Sequence, residues 1–254
     1  MRALSTFVIL GPLLLTIVGA PSTAAAATLT ADEQAMLEQL LGAGVLGAPV
    51  AGSTLTPSFA PLRAGTWTYQ IVGGKERGRR QRHVVTQLER GASGASWRYA
   101  VGSTSVLYIK QTADGSLTFV SQEDTANGVI VRYAPAEPAL LTGLEPGDSR
   151  ESSIDVKVYD LSDPHDVSHE GMLDVTYSYV GAYQITTPAG SYHAALIRWI
   201  YNGKIGPAKV EDSQYRFFAE NVGMVASVDK LDVSALFIYH SHKKFGKVLA
   251  QAPE

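Results

Sequence analysis

Two histidines spaced four residues apart are the best candidates for metal chemistry in this chain. They are His165 and His169 in the stretch "DPHDVSHEG", which also supplies Asp166 and Glu170. On one helical turn the two imidazoles would share a face, and zinc accepts two imidazoles together with a carboxylate. The same composition is typical of a solvated turn between strands, and no H-E-x-x-H signature accompanies it. We therefore predict no metal site here, with a metal-dependent enzyme using His165 and His169 as an alternative.

Other sequence signatures of enzymes are missing. There is no G-x-S-x-G, no phosphate-binding loop and no G-x-G-x-x-G after a strand, and the chain has no cysteine to act as nucleophile or thiolate ligand. Catalytic groups that meet only in space leave no linear signature. With that alternative open, we predict a non-catalytic protein without a cofactor.

A basic cluster lies between the first two predicted strands, in "KERGRRQR". Its basic members are Lys75, Arg77, Arg79, Arg80 and Arg82. They would form a positive hairpin tip able to meet lipid phosphate, an anionic glycan or an acidic partner protein. A solvated tip that discourages pairing of sheet edges is the alternative. Because the net charge is −3, we expect no nucleic-acid partner.

Aromatic residues on predicted strands are the remaining candidates for a binding site. Most of them share one strand phase and would point inward. The set consists of Trp67, Tyr69, Trp97, Tyr99, Tyr177, Tyr179, Trp199 and Tyr201. A cavity lined by aromatics with a few hydroxyls is typical of a pocket for an apolar ligand. The same residues could instead fill a core.

The elements that position these residues are predominantly strands. From Gly65 onward the apolar residues recur with a period of two, and turn-rich stretches separate the segments at hairpin spacing. No long helical period intervenes, so a parallel sheet with crossover helices is not expected. We predict that Gly65 to Asp232 form one curved antiparallel sheet of about nine to eleven strands, as a half-barrel or barrel. The segment 136–149, "AEPALLTGLEPGDS", is expected to cross and cap an open end of this sheet.

One short amphipathic helix precedes the sheet. Thr30 and Glu33 have capping-box spacing, and Met36, Leu37, Leu40 and Leu41 follow at helical spacing. The strand that begins at Ser191 is apolar on both faces, which indicates that both are covered. We expect one face to line the interior and the other to lie under this helix.

The end of the chain resembles a group of secreted bacterial β-proteins. "TPAGSYHAALI" followed by "YRFFAENVGMVAS" is similar to their Pro-Ala-Gly turn and their later aromatic strand that turns at a glycine into Met-Val. Those proteins look like the curved half-barrels of periplasmic lipoprotein carriers. Gly65-Thr66-Trp67 also resembles the Gly-x-Trp that opens the first lipocalin strand. Both resemblances imply a hollow or half-open β-structure, and neither implies a catalytic group.

The first residues predict export. Arg2, the apolar run 7–18 and the alanines 24–27 are typical of a cleaved signal peptide, assigned to residues 1–27. Residues 28–64 then form the helix and a Gly/Ala/Pro-rich linker, and 65–254 form the β-domain. We predict a periplasmic or secreted protein that does not span a membrane after signal cleavage and binds or carries an apolar or amphiphilic molecule, such as a lipid. An envelope protein-interaction module with a filled core is the alternative.

Overall fold

The chain is mainly β, with one α-helix before the strands. A computed structural model describes residues 28–92, 94–235 and 239–253, with the side chains of all of these except 232–235 and 239–243. The proposed signal peptide, residues 1–27, lies outside the described residues. The elements are α1 (Ala31–Leu41), β1 (Leu46–Val50), a short 3-10 helix (Pro57–Phe59), β2 (Gly65–Gly73), β3 (Arg80–Gly91), β4 (Gly94–Val101), β5 (Ser105–Gln111), β6 (Leu117–Asp124), β7 (Val129–Leu140), β8 (Ser149–Asp160), β9 (Val167–Thr187), β10 (Gly190–Ile205), β11 (Ala208–Ala219), β12 (Gly223–Ala235) and β13 (Tyr239–Gln251).

Strands β2 to β13 close into a 12-stranded antiparallel barrel. From β2 to β13 each strand pairs with the next one along the chain, and the pairing of β13 with β2 closes the ring. β1 lies outside the ring, beside the C-terminal part of β9. The prediction of one antiparallel sheet is confirmed, and the structure decides between half-barrel and barrel in favour of the closed barrel.

The period-two pattern produces this barrel because alternate side chains point inward. In β2, for example, Trp67, Tyr69 and Ile71 are buried and their neighbours are half-buried. Pro188 and Ala189 form the tight turn between β9 and β10, where Gly190 has φ of 139°. The Pro-Ala-Gly segment is therefore a hairpin turn, as its residue types predict.

Helix α1 packs on the outer surface of the barrel, mainly over β12, β13 and β2. Leu37, Leu40 and Leu41 are buried beneath it. A side chain at Gly73 or Gly246 would bring its Cβ within 2.2–2.3 Å of the Leu40 carbonyl oxygen, so both glycines are needed for this close approach.

The helix reaches β10 only through its first turn. The predicted capping box is present, and Glu33 also accepts a hydrogen bond from Arg198 Nη1 at 2.8 Å and one from the Tyr215 hydroxyl at 2.8 Å. The prediction that the helix mainly covers β10 is therefore wrong. Gly73 and Gly246 allow the helix to pack closely on strands that lie two to four positions away from β10 around the ring.

One end of the barrel is closed by two segments. Leu55 and Phe59, from the stretch predicted to be a linker, are buried there, as is Leu144 from the loop 141–148. The two segments hydrogen-bond to each other, Leu55 N to Leu144 O at 2.8 Å and Gly143 N to Leu55 O at 2.7 Å. We call this the closed end. At the opposite end, the open end, the described residues form only hairpin turns.

The capping segment is shorter than predicted. Residues 136–140 of "AEPALLTGLEPGDS" belong to β7, and only 141–148 form the loop. The prolines of β7 are tolerated in a central strand because the β6–β7 ladder shifts register beside them. Among the described residues no helix has the length and apolar character that crossing a bilayer requires.

Candidate functional site

The predicted aromatic residues lie inside the barrel, and most of them fill its closed half. Trp199 Nε1 donates across the barrel to the Pro138 carbonyl at 2.8 Å. The Tyr177 hydroxyl accepts from Leu141 N at 3.1 Å. The Tyr179 hydroxyl donates to the Ser53 carbonyl at 3.0 Å. Tyr177 and Tyr179 therefore tie the barrel wall to the segments that close its end, and Trp199 ties β10 to β7.

Two further members of the set bond to the turn between β11 and β12 and to the first residues of β12. Tyr69 OH donates to the Met224 carbonyl at 2.8 Å, and Trp67 Nε1 donates to the Val222 carbonyl at 3.3 Å. Trp97 is the exception, because its buried Nε1 has no partner among the described residues. With this exception, the polar atoms of the aromatic residues in the closed half are satisfied by the chain itself.

A layer of polar and ionisable side chains crosses the interior beyond these aromatics, toward the open end. We call it the polar layer. It consists of Gln81, His83, Tyr99, Glu137, Tyr201, Asp212, Gln214, Arg216, Ser227, Asp229 and Lys247. Residues opposite one another in neighbouring strands share a face, which places Asp212, Gln214 and Asp229 on the inward side with Tyr201 and Trp199. Buried ionisable groups are costly, so such a layer is a candidate functional site.

Glu137 and Tyr201 form one part of the polar layer. The Tyr201 hydroxyl donates to Glu137 Oε1 across the barrel, and both residues are buried. Burial raises the pKa of Glu137 to about 7, although the Tyr201 hydrogen bond and Arg216 oppose the shift. Burial also raises the pKa of Asp212, which lies opposite Tyr201 on β11, to about 6.

Arg216 lies at the centre of the polar layer. Its guanidinium donates to Asp229 at 2.9 Å and to Gln214 at 2.6 Å, and it lies 5.6 Å from the centre of the Trp199 ring. The side chains of Arg216 and Asp229 keep 23% and 14% exposure, so solvent reaches this depth of the interior. Asp212 Oδ1 is buried and has no partner among the described residues, although Gln214 donates to Oδ2 at 2.7 Å.

Lys247 and His83 form the third part. Lys247 Nζ lies 3.1 Å from Gln81 Oε1 and 3.3 Å from His83 Nε2, and the other ring nitrogen of His83 lies 2.8 Å from the Tyr99 hydroxyl. Burial lowers the pKa of His83 well below its ordinary value, and Lys247 acts in the same direction. Burial also lowers the pKa of Lys247 to about 8.

Between the polar layer and the open end the interior is lined by aliphatic side chains that are only half-buried. These mouth aliphatics are Leu107, Val131, Val158, Ile205 and Val210. Their inward direction follows from register, since Leu107 lies opposite Tyr99, and Val131 lies opposite both Gln122 and Val158. A molecule entering from the open end would meet apolar side chains first and ionisable groups below them.

Two depressions lie in the barrel wall, and the first borders the polar layer at Tyr201 and Asp212. One of about 160 Å³ lies against β10, β11 and β12, and another of about 460 Å³ lies against β8 and β9. Both have mainly polar linings, and Tyr201 is the one predicted aromatic that contributes to them. They are unlike the apolar cavity that the aromatic pattern suggests.

The histidines and the basic cluster lie in or beside hairpin turns at the open end. His165 is in the turn between β8 and β9, and His169 is exposed on β9. Among the described residues, no group of three or more metal-ligating side chains could hold an ion. The basic cluster lies in and beside the β2–β3 turn with all five side chains exposed. Arg79 pairs with Glu76 at 2.6 Å.

Sequence reasoning missed most of the polar layer. It selected Tyr99 and Tyr201, but Glu137, Arg216 and Lys247 occur singly in strands and form no linear motif. The available signal was strand phase, since Asp212, Gln214 and Arg216 occupy alternate positions of β11 and therefore share one face.

Comparison with known proteins identifies relatives of part of the chain. Residues 150–229 match the DUF3108-like family model. This stretch runs from β8 into β12 and contains Tyr201, Asp212, Arg216 and Ser227. No curated protein matches.

Solved structures with a similar course of the chain come from three bacteria. A Bacteroides fragilis protein with a YmcC-like fold, predicted to be exported, is 14% identical with a TM-score of 0.44, covering 82% of this chain and 100% of that one. A predicted lipoprotein from Parabacteroides distasonis is 15% identical, with a TM-score of 0.40 and coverage of 78% and 99%. The hypothetical lipoprotein YmcC from Escherichia coli is 9% identical, with a TM-score of 0.37 and coverage of 76% and 86%.

Proposed function

We propose that this protein is an exported, non-catalytic β-barrel that binds an amphiphilic molecule through the open end of its barrel. The observation that carries the proposal is the order of the interior: half-buried aliphatics at the mouth, then a layer of ionisable groups, then a closed aromatic core. Export is supported by the signal-peptide pattern of residues 1–27. A fold without cysteine is held together by core burial alone.

The interior matches the two parts of an amphiphile. An apolar chain would lie against the mouth aliphatics, which are not fully covered by the protein itself. Its polar group would reach the layer that contains Tyr99 and Tyr201, two of the aromatics predicted to bind ligand. That the other six aromatic residues contact a ligand remains a prediction.

Binding of twelve-carbon amphiphiles to the mature chain, residues 28–254, tests the proposal. We expect saturable binding in isothermal titration calorimetry. Val158→Arg should weaken it by about tenfold or more, because a charge then occupies the apolar mouth. Met172→Arg is the matched control, since Met172 is 52% exposed on the neighbouring strand β9. Absence of binding by every amphiphile tested, or equal effects of both substitutions, would contradict the proposal.

A second candidate function is interaction with an anionic partner through the basic turn. Lys75, Arg77, Arg80 and Arg82 are exposed and form no ion pair with any described side chain. Free surface cations of one sign attract anionic surfaces in a salt-dependent way. Replacing Arg77 and Arg80 by glutamate should abolish binding to vesicles containing anionic phospholipid at low salt. Binding that is unchanged would reject this role.

A further inference from the structure

Three neighbouring strands place Arg216, Ser227 and Lys247 side by side on the inner wall of the barrel. Arg216 of β11 lies opposite Ser227 of β12, and Ser227 lies opposite Lys247 of β13. Directly opposed residues have Cβ atoms about 4.5–5.5 Å apart, so one hydroxyl is flanked by two cationic side chains. For Ser227 and Lys247, a further observation points to an absent partner.

Ser227 is the first. It is 0% exposed, and its hydroxyl oxygen has no hydrogen-bond partner among the described residues. Burying a hydroxyl without a partner is destabilising, and native proteins keep few such groups. The hydroxyl faces the interior between the two cations and can donate to an acceptor placed there.

The two cations beside Ser227 have different partners. Arg216 has a carboxylate partner in Asp229. Lys247 Nζ contacts an amide oxygen and an imidazole nitrogen and lies 5.7 Å from the centres of the Tyr69 and Phe245 rings, with no carboxylate in ion-pair range among the described residues. Lys247 is only 6% exposed. A buried ammonium is normally paired with an anion.

Neither of the other two carboxyl groups of the polar layer forms an ion pair with Lys247 in the described part of the chain. Glu137 accepts a hydrogen bond from the Tyr201 hydroxyl. Asp212 lies nearer the open end and accepts one from Gln214.

We infer that the polar group of the bound amphiphile is an anion, a carboxylate or a phosphate, held by Lys247 and Ser227 with Arg216 beside them. This inference rests on the proposed function and specifies its ligand class. The Ser227 hydroxyl and the Lys247 ammonium would both donate to the anion, and charge-assisted hydrogen bonds are the stronger kind. The basic cluster lies in and beside the turn between β2 and β3, and β2 pairs with β13, the strand of Lys247. The basic cluster is therefore on the same side of the barrel as Lys247 and would attract an anion to the mouth.

The test compares four twelve-carbon probes that differ only in their head group: dodecanoate, dodecyl phosphate, dodecanol and dodecylammonium. At pH 7 the anions should bind about 10- to 100-fold more tightly than the alcohol, as expected for hydrogen bonds to charged groups. The ammonium probe should bind most weakly. Comparing dodecanoate with dodecyl phosphate separates a fatty-acid site from a phospholipid-type site.

Variants test whether the preference for anions comes from Lys247 and Ser227. Lys247→Met should reduce the affinity for the preferred anion by about tenfold or more and change that for dodecanol by less than about twofold. Lys247→Arg should retain the anion preference. Ser227→Ala should reduce the affinity for the anion by a smaller factor. Lys244→Met, on the same strand but exposed, is the matched control. Folding of each variant is checked by its melting curve, and Lys247→Met should fold because it removes a buried charge.

The outcomes separate this inference from the proposed function. If no probe binds, the proposed function itself fails. If dodecanol binds as tightly as the anions, or Lys247→Met leaves the anion preference intact, the barrel binds amphiphiles but the anion site is wrong. Loss of the preference in Lys247→Met and its retention in Lys247→Arg and Lys244→Met support the site.

Discussion

The closed and open halves of the barrel use similar strands for different purposes. In the closed half, Trp199, Tyr177 and Tyr179 are almost fully buried and bond to backbone groups of β7 or of the segments that cover the barrel end. In the open half, Asp212 and Ser227 have buried oxygens without partners in the described chain. Apart from Trp97 Nε1, the aromatic residues of the closed half have their polar atoms satisfied, as in a core, whereas the open half leaves two buried oxygens available to a ligand.

The two halves also differ in how burial of their side chains affects the stability of the fold. Burial of aromatic rings stabilises the closed half by a few kcal/mol per side chain. Burial of charged groups opposes folding, as the raised pKa of Glu137 and the lowered pKa of Lys247 indicate. We interpret the closed half as the part that holds the barrel together and the open half as the part that tolerates an unfavourable interior for function.

The largest effect is expected from Trp199→Ala in the closed half. Trp199 is 2% exposed, and its removal leaves a cavity and an unpaired Pro138 carbonyl. The free energy of unfolding should fall by about 3–5 kcal/mol in urea titrations. Leu107→Ala, at the half-buried mouth, should lower it by only about 1–2 kcal/mol. Equal losses would show that the two halves do not differ as cores.

An intermediate effect is expected from pH acting on Glu137. Its pKa rises from 4.5 in the unfolded chain to about 7 in the folded barrel, so the folded state binds the proton more tightly. This contribution is complete below about pH 4.5 and is lost as the pH rises through 7, an effect of up to about 3 kcal/mol. Asp212 acts in the same direction.

Glu137→Gln should flatten this part of the stability–pH curve, because the amide can still accept from Tyr201 but does not ionise. Glu151→Gln, at an exposed position of β8, is the control and should leave the curve unchanged. Urea unfolding at several pH values between 4 and 8 measures both. A wild-type slope that persists in Glu137→Gln would show that the polar layer is not its source.

A smaller effect is expected from Glu33→Ala, outside both halves. Burial would raise the pKa of Glu33, but hydrogen bonds from the Thr30 amide and the Tyr215 hydroxyl and the charge of Arg198 lower it overall. Losing these contacts should lower the free energy of unfolding by about 1–2 kcal/mol and release the helix N-terminus. Asp32→Ala, in the same helical turn, is the control. A loss no larger than that of the control would mean that Glu33 does not anchor the helix.

Much of the fold was predictable because it depends on local patterns. The alternation of Trp67, Tyr69 and Ile71 predicted an inward face, and the capping box at Thr30 and Glu33 predicted the helix start. The position of the helix was not predictable, because it depends on Gly73 and Gly246. Nothing in the sequence distinguishes these two glycines from other glycines in strands. Barrel closure likewise depends on β8 meeting β9 and β13 meeting β2, and the latter is a long-range pairing.

The candidate site was predictable only in part. Aromatic residues on strands pointed to the interior, but the sequence could not separate those that close one end from Tyr99 and Tyr201, which lie in the polar layer. Arg216 comes from β11, Lys247 from β13 and Glu137 from β7, so the layer exists only once the barrel has closed.

Position-dependent quenching of tryptophan fluorescence tests the central claim most directly. The protein has three tryptophans, all in the closed half, and Trp199 lies 5.6 Å from the Arg216 guanidinium. An amphiphile that enters with its anionic group deepest would bring a bromine on carbon 2 close to Trp199 and leave a bromine on carbon 12 at the mouth. We predict strong quenching by 2-bromododecanoate and weak quenching by 12-bromododecanoate at equal saturation. Stronger quenching by 12-bromododecanoate would place the apolar tail among the aromatics of the closed half and contradict the account.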